Sequence, residues 1–226
     1  RKIYMVETKI IILDQQEIVY KIHYKRIKNC YLRVEKGEVV IRCSPLFPQS
    51  EIEKLIRNHQ EEILEQIKGY VPKYNYQEDG YVYLFNQKYQ IVLKDMNIKK
   101  CAIHDRQIYV YSKNIQATIE MFLKQELMNY LKERIDFYLS TSFHHVFPEI
   151  QIKKMKRRWG ACFYQKNRVC FNLVLAHIDY ALIDYVIVHE LCHFLEANHS
   201  KAFYHEIEKR MPDYKERERL LKDVGI

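Results

Sequence analysis

The chain has 226 residues, longer than one average domain and shorter than two, so one compact unit or two small lobes are both open. With 48% hydrophobic and 29% charged residues and only five Gly and five Pro, it is not a collagenous, low-complexity or largely disordered chain. A balance of 37 Lys plus Arg against 29 Asp plus Glu leaves +8, which attracts phosphates or acidic partners without identifying them.

Apolar runs such as Ile10 to Leu13 and Tyr185 to Val188 fall far short of the 18 or so residues a membrane span needs. No membrane partner is expected. Six Cys, at 30, 43, 101, 162, 170 and 192, form no C-x-x-C and read as reduced, mostly buried thiols of a cytoplasmic protein.

In chain order, Ile3 to Leu13 and Ile18 to Tyr24, rich in Ile, Val and Tyr, read as strands. Tyr31 to Glu35 and Val39 to Cys43 flank Lys36-Gly37 as a hairpin. Ser50 and Glu53 form an S-x-x-E capping box before a helix in which Ile52, Leu55, Ile56, Ile63, Leu64 and Ile67 recur at helical spacing. Strands resume at Tyr81 to Phe85 and Tyr89 to Leu93, then at Cys101 to Ile103 and Ile108 to Tyr111. A long amphipathic helix follows from about Asn114 to Leu139.

Ile150 to Lys156 and Arg168 to Leu175 read as two more strands, joined through Arg157 to Cys162. Asp179 caps a helix reaching about Ala197, Ser200 caps a second that stops before Pro212, and a last helical stretch runs from about Tyr214 to Lys222. The best boundary is near residue 112, dividing a β-rich part with one helix, 1–112, from a part carrying the chemistry, 113–226. No flexible linker marks it, so one continuous domain is equally open.

That chemistry is His189-Glu190-Leu191-Cys192-His193, an H-E-x-x-H on a predicted helix. Residues four apart share a helix face, so both imidazoles reach one ion. His199 follows six residues after His193, where a chain turn brings a third imidazole to it. Three His with an open fourth position is a catalytic zinc set, one ion per chain, whereas a structural set is usually closed with Cys. Chance predicts roughly 0.04 H-E-x-x-H matches in a chain of this composition, so the motif is specific. Glu190 is next to a ligand and is placed to take the proton of a zinc-activated water and pass it on.

With these blocks in order, the chain resembles the YgjP-like metallopeptidase-type proteins, related to the SprT-like and WLM zincins. The resemblance rests on Arg158-Trp159-Gly160-Ala161-Cys162, on Asp184 through His193, on Asn198-His199-Ser200 with Phe203, and on Met211-Pro212-Asp213-Tyr214. Gly37 to Arg42 with Pro45 also looks like that family's opening segment. It implies His189, His193 and His199 as zinc ligands and Glu190 as catalytic base. The family's R-W-G-S-C has Ala161 here, so a role for that serine hydroxyl is absent; its H-E-L-A-H has Cys192, which reads as a small packing residue.

Arg157, Arg158 and Trp159 are candidate substrate-binding residues ahead of the active-site helix, and Tyr214 a candidate oxyanion partner. His144, His145, His177 and His205 lack ligand spacing and read as structural. The expected fold is α+β: a β-rich N-terminal part with one long helix, then a zincin-like catalytic part of small sheet and active-site helix. The leading function is a zinc-dependent metallopeptidase acting on a peptide or protein. The alternatives are a metal-dependent nucleoside triphosphate pyrophosphatase gripping phosphates with Arg157 and Arg158, and a DNA-associated SprT-like protease or basic nucleic-acid-binding module.

Overall fold

A computed structural model describes residues 5–69 and 72–225. The fold is mixed α+β, with three small sheets and six helices among the described residues. The chain divides into two compact units, Arg1–Pro72 and Lys73–Ile226. The step at residue 112 from strands to helix falls inside the second unit, because the long helix packs on the strands that precede it.

The first unit is a four-stranded sheet in the order β1-β2-β4-β3 with two helices. Strands β1 (Val6–Leu13) and β2 (Gln16–Tyr24) are an antiparallel hairpin, β2 runs parallel to β4 (Glu38–Cys43), and β3 (Tyr31–Glu35) closes the other edge. Ile3 and Tyr4, expected in the first strand, lie outside the described residues. Alternation puts Ile11, Leu13, Ile18, Tyr20, Ile22 and Ile41 on one face against Ile52, Ile56, Ile63 and Leu64. The expected single helix is two, α1 (Gln49–Asn58) and α2 (Gln60–Gly69), broken at His59, whose Nδ1 meets the Leu55 carbonyl at 2.9 Å. The capping box is not made: Pro48 is the N-cap, so Ser50 is already inside the helix, and Gln49 donates to Glu53 at 2.7 Å instead.

The second unit opens with a five-stranded sheet, β5-β6-β7-β9-β8, of β5 (Tyr74–Asn75), β6 (Tyr81–Leu84), β7 (Gln87–Leu93), β8 (Lys100–His104) and β9 (Gln107–Tyr111). Helix α3 (Ile115–Tyr138) follows, its N-terminus closed by Asn114, whose side chain accepts from the Ala117 N–H at 3.1 Å. Its stripe Ile119, Leu123, Leu127, Leu131 and Ile135 recurs every fourth residue and is fully buried. A π-helical turn, Leu139–Phe143, ends it.

The third sheet, β10-β12-β11, joins β10 (Glu149–Lys153) parallel to β12 (Arg168–Asn172), with β11 (Gly160–Phe163) antiparallel along the other side of β12. Gly160 to Cys162, read from sequence as part of a connection, therefore belong to an edge strand. Helices α4 (Tyr180–Cys192), α5 (Lys201–Arg210) and α6 (Tyr214–Val224) complete the unit. Asp179 accepts from the Ala181 N–H at 2.8 Å, and Ser200 from Phe203 at 3.2 Å, so both expected caps are made.

Helix α4 is apolar nearly all round and buried along its length, as a helix at the centre of a unit must be. Its rotation against α3 is fixed by Asp184, which accepts from Nε and Nη2 of Arg134, the shortest contact at 2.8 Å. The hydroxyls of Tyr130 and Tyr138 donate to the same carboxylate at 2.8 and 3.1 Å. Four polar groups thus leave α4 one azimuth on α3, and that azimuth sets where the histidines point.

Candidate active site

His189 and His193 stand four residues apart on α4 and share a face. The helix ends at Cys192, and the Phe194 and Leu195 amides donate to the Leu191 and Cys192 carbonyls at 3.0 and 2.9 Å, turning the chain back. His199 returns to the site just before α5. Its Nε2 lies 3.1 Å from Nε2 of His189, and one nitrogen from each of the three rings lies within 4.8 Å of the others.

Phe203, fully buried, closes the site from below, its ring centre 5.0, 4.6 and 4.8 Å from those of His189, His193 and His199. Nδ1 of His193 faces the Glu196 carbonyl at 3.3 Å, which keeps the proton on that nitrogen and frees Nε2. Burial, then the neighbouring His193 and His199, pull His189 down to about 3, so its ring is neutral at ordinary pH. Tetrahedral zinc with nitrogen ligands would hold them about 3.3 Å apart. The donor set of three imidazoles, with His189 and His199 near that spacing, fits such an ion. Among the described residues no other group of three ligating side chains converges.

Glu190 points the other way from the α4 core, under β11. It is 5% exposed, and that burial raises its carboxyl to about 8, against the lowering pull of the Cys162 backbone and of Arg158. Gly160 sits directly over it. A Cβ at Gly160 would stand 2.5 Å from Oε1 of Glu190 and 2.7 Å from its Cγ.

The edge geometry of β11 follows from its ladder. The Asn172 N–H donates to the Trp159 carbonyl at 2.8 Å, and the register runs Gly160 to Phe171, Ala161 to Cys170. Hydrogen-bonded and non-hydrogen-bonded pairs alternate, so Ala161 and Phe163 bond β12, while Gly160 and Cys162 turn their backbone groups outward. The loop ahead of β11 is anchored by Asn172, fully buried, whose amide donates to the Met155 and Arg158 carbonyls at 2.8 Å each.

Imidazoles and carboxylate open into a cleft of about 590 Å³. Arg158, Trp159, residues 160–162 and Tyr164 form one wall, Tyr185, Val186, His189, Glu190 and His193 the floor, and Glu218, Leu221 and Lys222 of α6 the other wall. The first unit has a separate cavity of about 410 Å³ bounded by Leu32, Leu55 and Ile63, with no convergent ligand set.

Of the residues singled out in the sequence, His189, His193, His199, Glu190, Arg158 and Trp159 meet in this cleft. Arg157 is exposed and outside its lining, and Tyr214 is buried at 6% exposure against Tyr204, also outside it. His177 is buried with Nδ1 on the Tyr83 carbonyl at 2.7 Å. Sequence reading missed Gly160 as a neighbour of Glu190, Tyr185, and the α6 trio. Tyr185 could have been found, since it stands four residues before His189; the α6 residues carry no local signal.

Converging imidazoles beside a buried carboxylate, in an open cleft, are the layout of a metal-dependent hydrolase. The family model for the YgjP-like metallopeptidase domain matches residues 28–224, and the chain belongs to that family. Among solved structures, the metallopeptidase zymogen of Pyrococcus abyssi abylysin is 17% identical with a TM-score of 0.39, over 42% of this chain and 94% of that one. The metallopeptidase zymogen of Methanocaldococcus jannaschii jannalysin is 24% identical with a TM-score of 0.37, over 42% of this chain and 96% of that one. No curated protein matches the chain. Among the described residues no helix is long and apolar enough to cross a membrane.

Proposed function

We propose that the chain is a zinc-dependent peptidase of zincin type, with His189, His193 and His199 holding one zinc ion and Glu190 as the proton carrier. The observation that carries this is the convergence of three imidazoles beside a buried carboxylate in one cleft. When bound there, zinc is a Lewis acid that polarises a carbonyl, lowers the pKa of water towards neutrality and, as a dication, favours the ionised form of Glu190.

The protein's own groups do the rest. Glu190 accepts the proton of the attacking water and returns it to the leaving amine. An extended peptide pairs with the outward edge of β11, using the outward backbone groups of Gly160 and Cys162. Trp159 and Arg158 bound the cleft above that peptide, and Leu221 and Val186 offer it an apolar wall. The triphosphate reading called for Arg157 and Arg158 together, and only Arg158 lines the cleft. No feature of the site favours a nucleic-acid partner.

The test is elemental analysis and casein cleavage on wild type, His199→Ala and Glu190→Gln, purified without a His tag. Near one zinc per wild-type chain, sharply less in His199→Ala, and a fall in turnover of about 10³-fold or more in Glu190→Gln with zinc retained are expected. A wild type that stays empty after zinc titration would end the reading. Loss of zinc from Glu190→Gln would overturn the division of roles.

A further inference from the structure

The H-E-x-x-H motif explains why Glu190 is near the ligands but not what holds its carboxylate. A Glu side chain on a helix has three rotatable bonds, and proton transfer needs its oxygens held near one position. Helix α4 supplies no partner for them.

The partner is β11, the strand that walls the cleft directly over α4. Two features converge there. First, the ladder with β12 turns the backbone groups of residues 160 and 162 away from the sheet, so the open edge of β11 lines the cleft. Second, the space above Cγ and Oε1 of Glu190 exists only because residue 160 has no side chain: a Cβ there would meet Cγ at 2.7 Å, the carboxyl carbon at 2.8 Å and Oε1 at 2.5 Å. Contacts that short displace the whole end of the side chain, and Glu190 is too buried to yield freely.

Backbone strain does not account for this glycine, since the described residues with positive φ do not include it. Glycine here serves a close approach, not a turn.

We propose that Gly160 is a positioning residue for Glu190, so that the strand edge offered to substrate also seats the proton carrier. The inference rests on the proposed role of Glu190. It predicts that Gly160→Ala expels the carboxylate from its seat while leaving the three histidines, which β11 does not hold, able to bind metal.

The test is a double-mutant cycle of Gly160→Ala with Glu190→Ala, read first as thermal midpoints of the chelator-treated protein. Gly160→Ala alone should lower the midpoint by about 5 °C through overpacking. In the Glu190→Ala background, where the added methyl fills vacated space, that loss should shrink to about 1 °C or reverse. Equal losses in both backgrounds would overturn the proposal, whatever the protein catalyses.

The second arm is zinc content and steady-state cleavage of a peptide substrate. Gly160→Ala should keep near one zinc per chain and a KM within about threefold of wild type, with kcat down about 10²-fold. A drop in zinc content, or a change carried by KM alone, would mean that Gly160 shapes the metal site or the substrate groove and not the carboxylate. If wild type cleaves no peptide while the stability cycle still couples, the peptidase reading fails and the seating of Glu190 stands. Should Gly160→Ala not accumulate as folded protein, Gly160→Ala with Glu190→Ala is expected to rescue it, and failure of that rescue would count against the proposal.

Discussion

At residue 190 two demands oppose each other. A proton carrier works when ionised, yet burial raises the Glu190 carboxyl to about 8 in the metal-free protein. The folded state therefore binds a proton that the unfolded state, near 4.5, has released, and Glu190 costs stability progressively as pH rises from about 4.5 to 8. His189 acts in a lower window: held to about 3, it penalises folding as pH falls below the ordinary histidine value. Comparing metal-free wild type with Glu190→Gln isolates the first effect. The Gln variant should gain on wild type as pH goes from 5 to 8, by on the order of a few kcal/mol in denaturant titrations. A constant difference across that range would mean that Glu190 is not buried as described. The meeting of His189, His193 and Glu190 was legible in the sequence because their spacing along one helical segment is itself geometry, and that of His199 because the chain turns back within six residues. Gly160 was not, because its meaning depends on the side chain of another element packed against it.

Among elements, the pairing of α3 with α4 is the one on which the site depends most. Asp184 and Arg134 are 50 residues apart, and neither position has a local motif that announces the other. Arg134→Ala leaves a buried carboxylate with only two tyrosine hydroxyls, and should destabilise the second unit by about 3 kcal/mol, measured by urea unfolding. A loss below about 1 kcal/mol would show that the tyrosines suffice. Most elements were readable from periodicity and caps, as with Asn114 before α3 and Asp179 before α4. Strand β11 was not: four residues beginning with Gly160 carry little strand propensity, and they become a strand only because β12 supplies the ladder. The break between α1 and α2 at His59 escaped for a related reason, since apolar spacing runs straight through it.

At the scale of the molecule the described residues form two cores. One gathers Leu13, Tyr20, Ile41 and Ile56 in the first unit; the other gathers Leu127, Phe171, Ile187 and Phe203 in the second. The change of texture at residue 112 marked the border between a sheet and the helix that covers it, and covering helices belong with their sheets. Only the second unit carries the three histidines. Chelation should therefore lower a calorimetric transition belonging to that unit and leave the first unit's transition in place. A single transition moving as a whole would show that the two cores unfold together.

Glu190 lines the cleft, is nearly buried, and is covered by β11 at Gly160. During proposed turnover that cleft is filled by substrate. A proton taken up there has no buffer molecule within reach until a bond breaks and the new amine accepts it. Catalytic protons would then stay with one substrate molecule from start to finish, and hydrolysis rates at fixed pH and ionic strength should not respond to buffer concentration. A rate that climbs with added imidazole would reveal a leak past the strand.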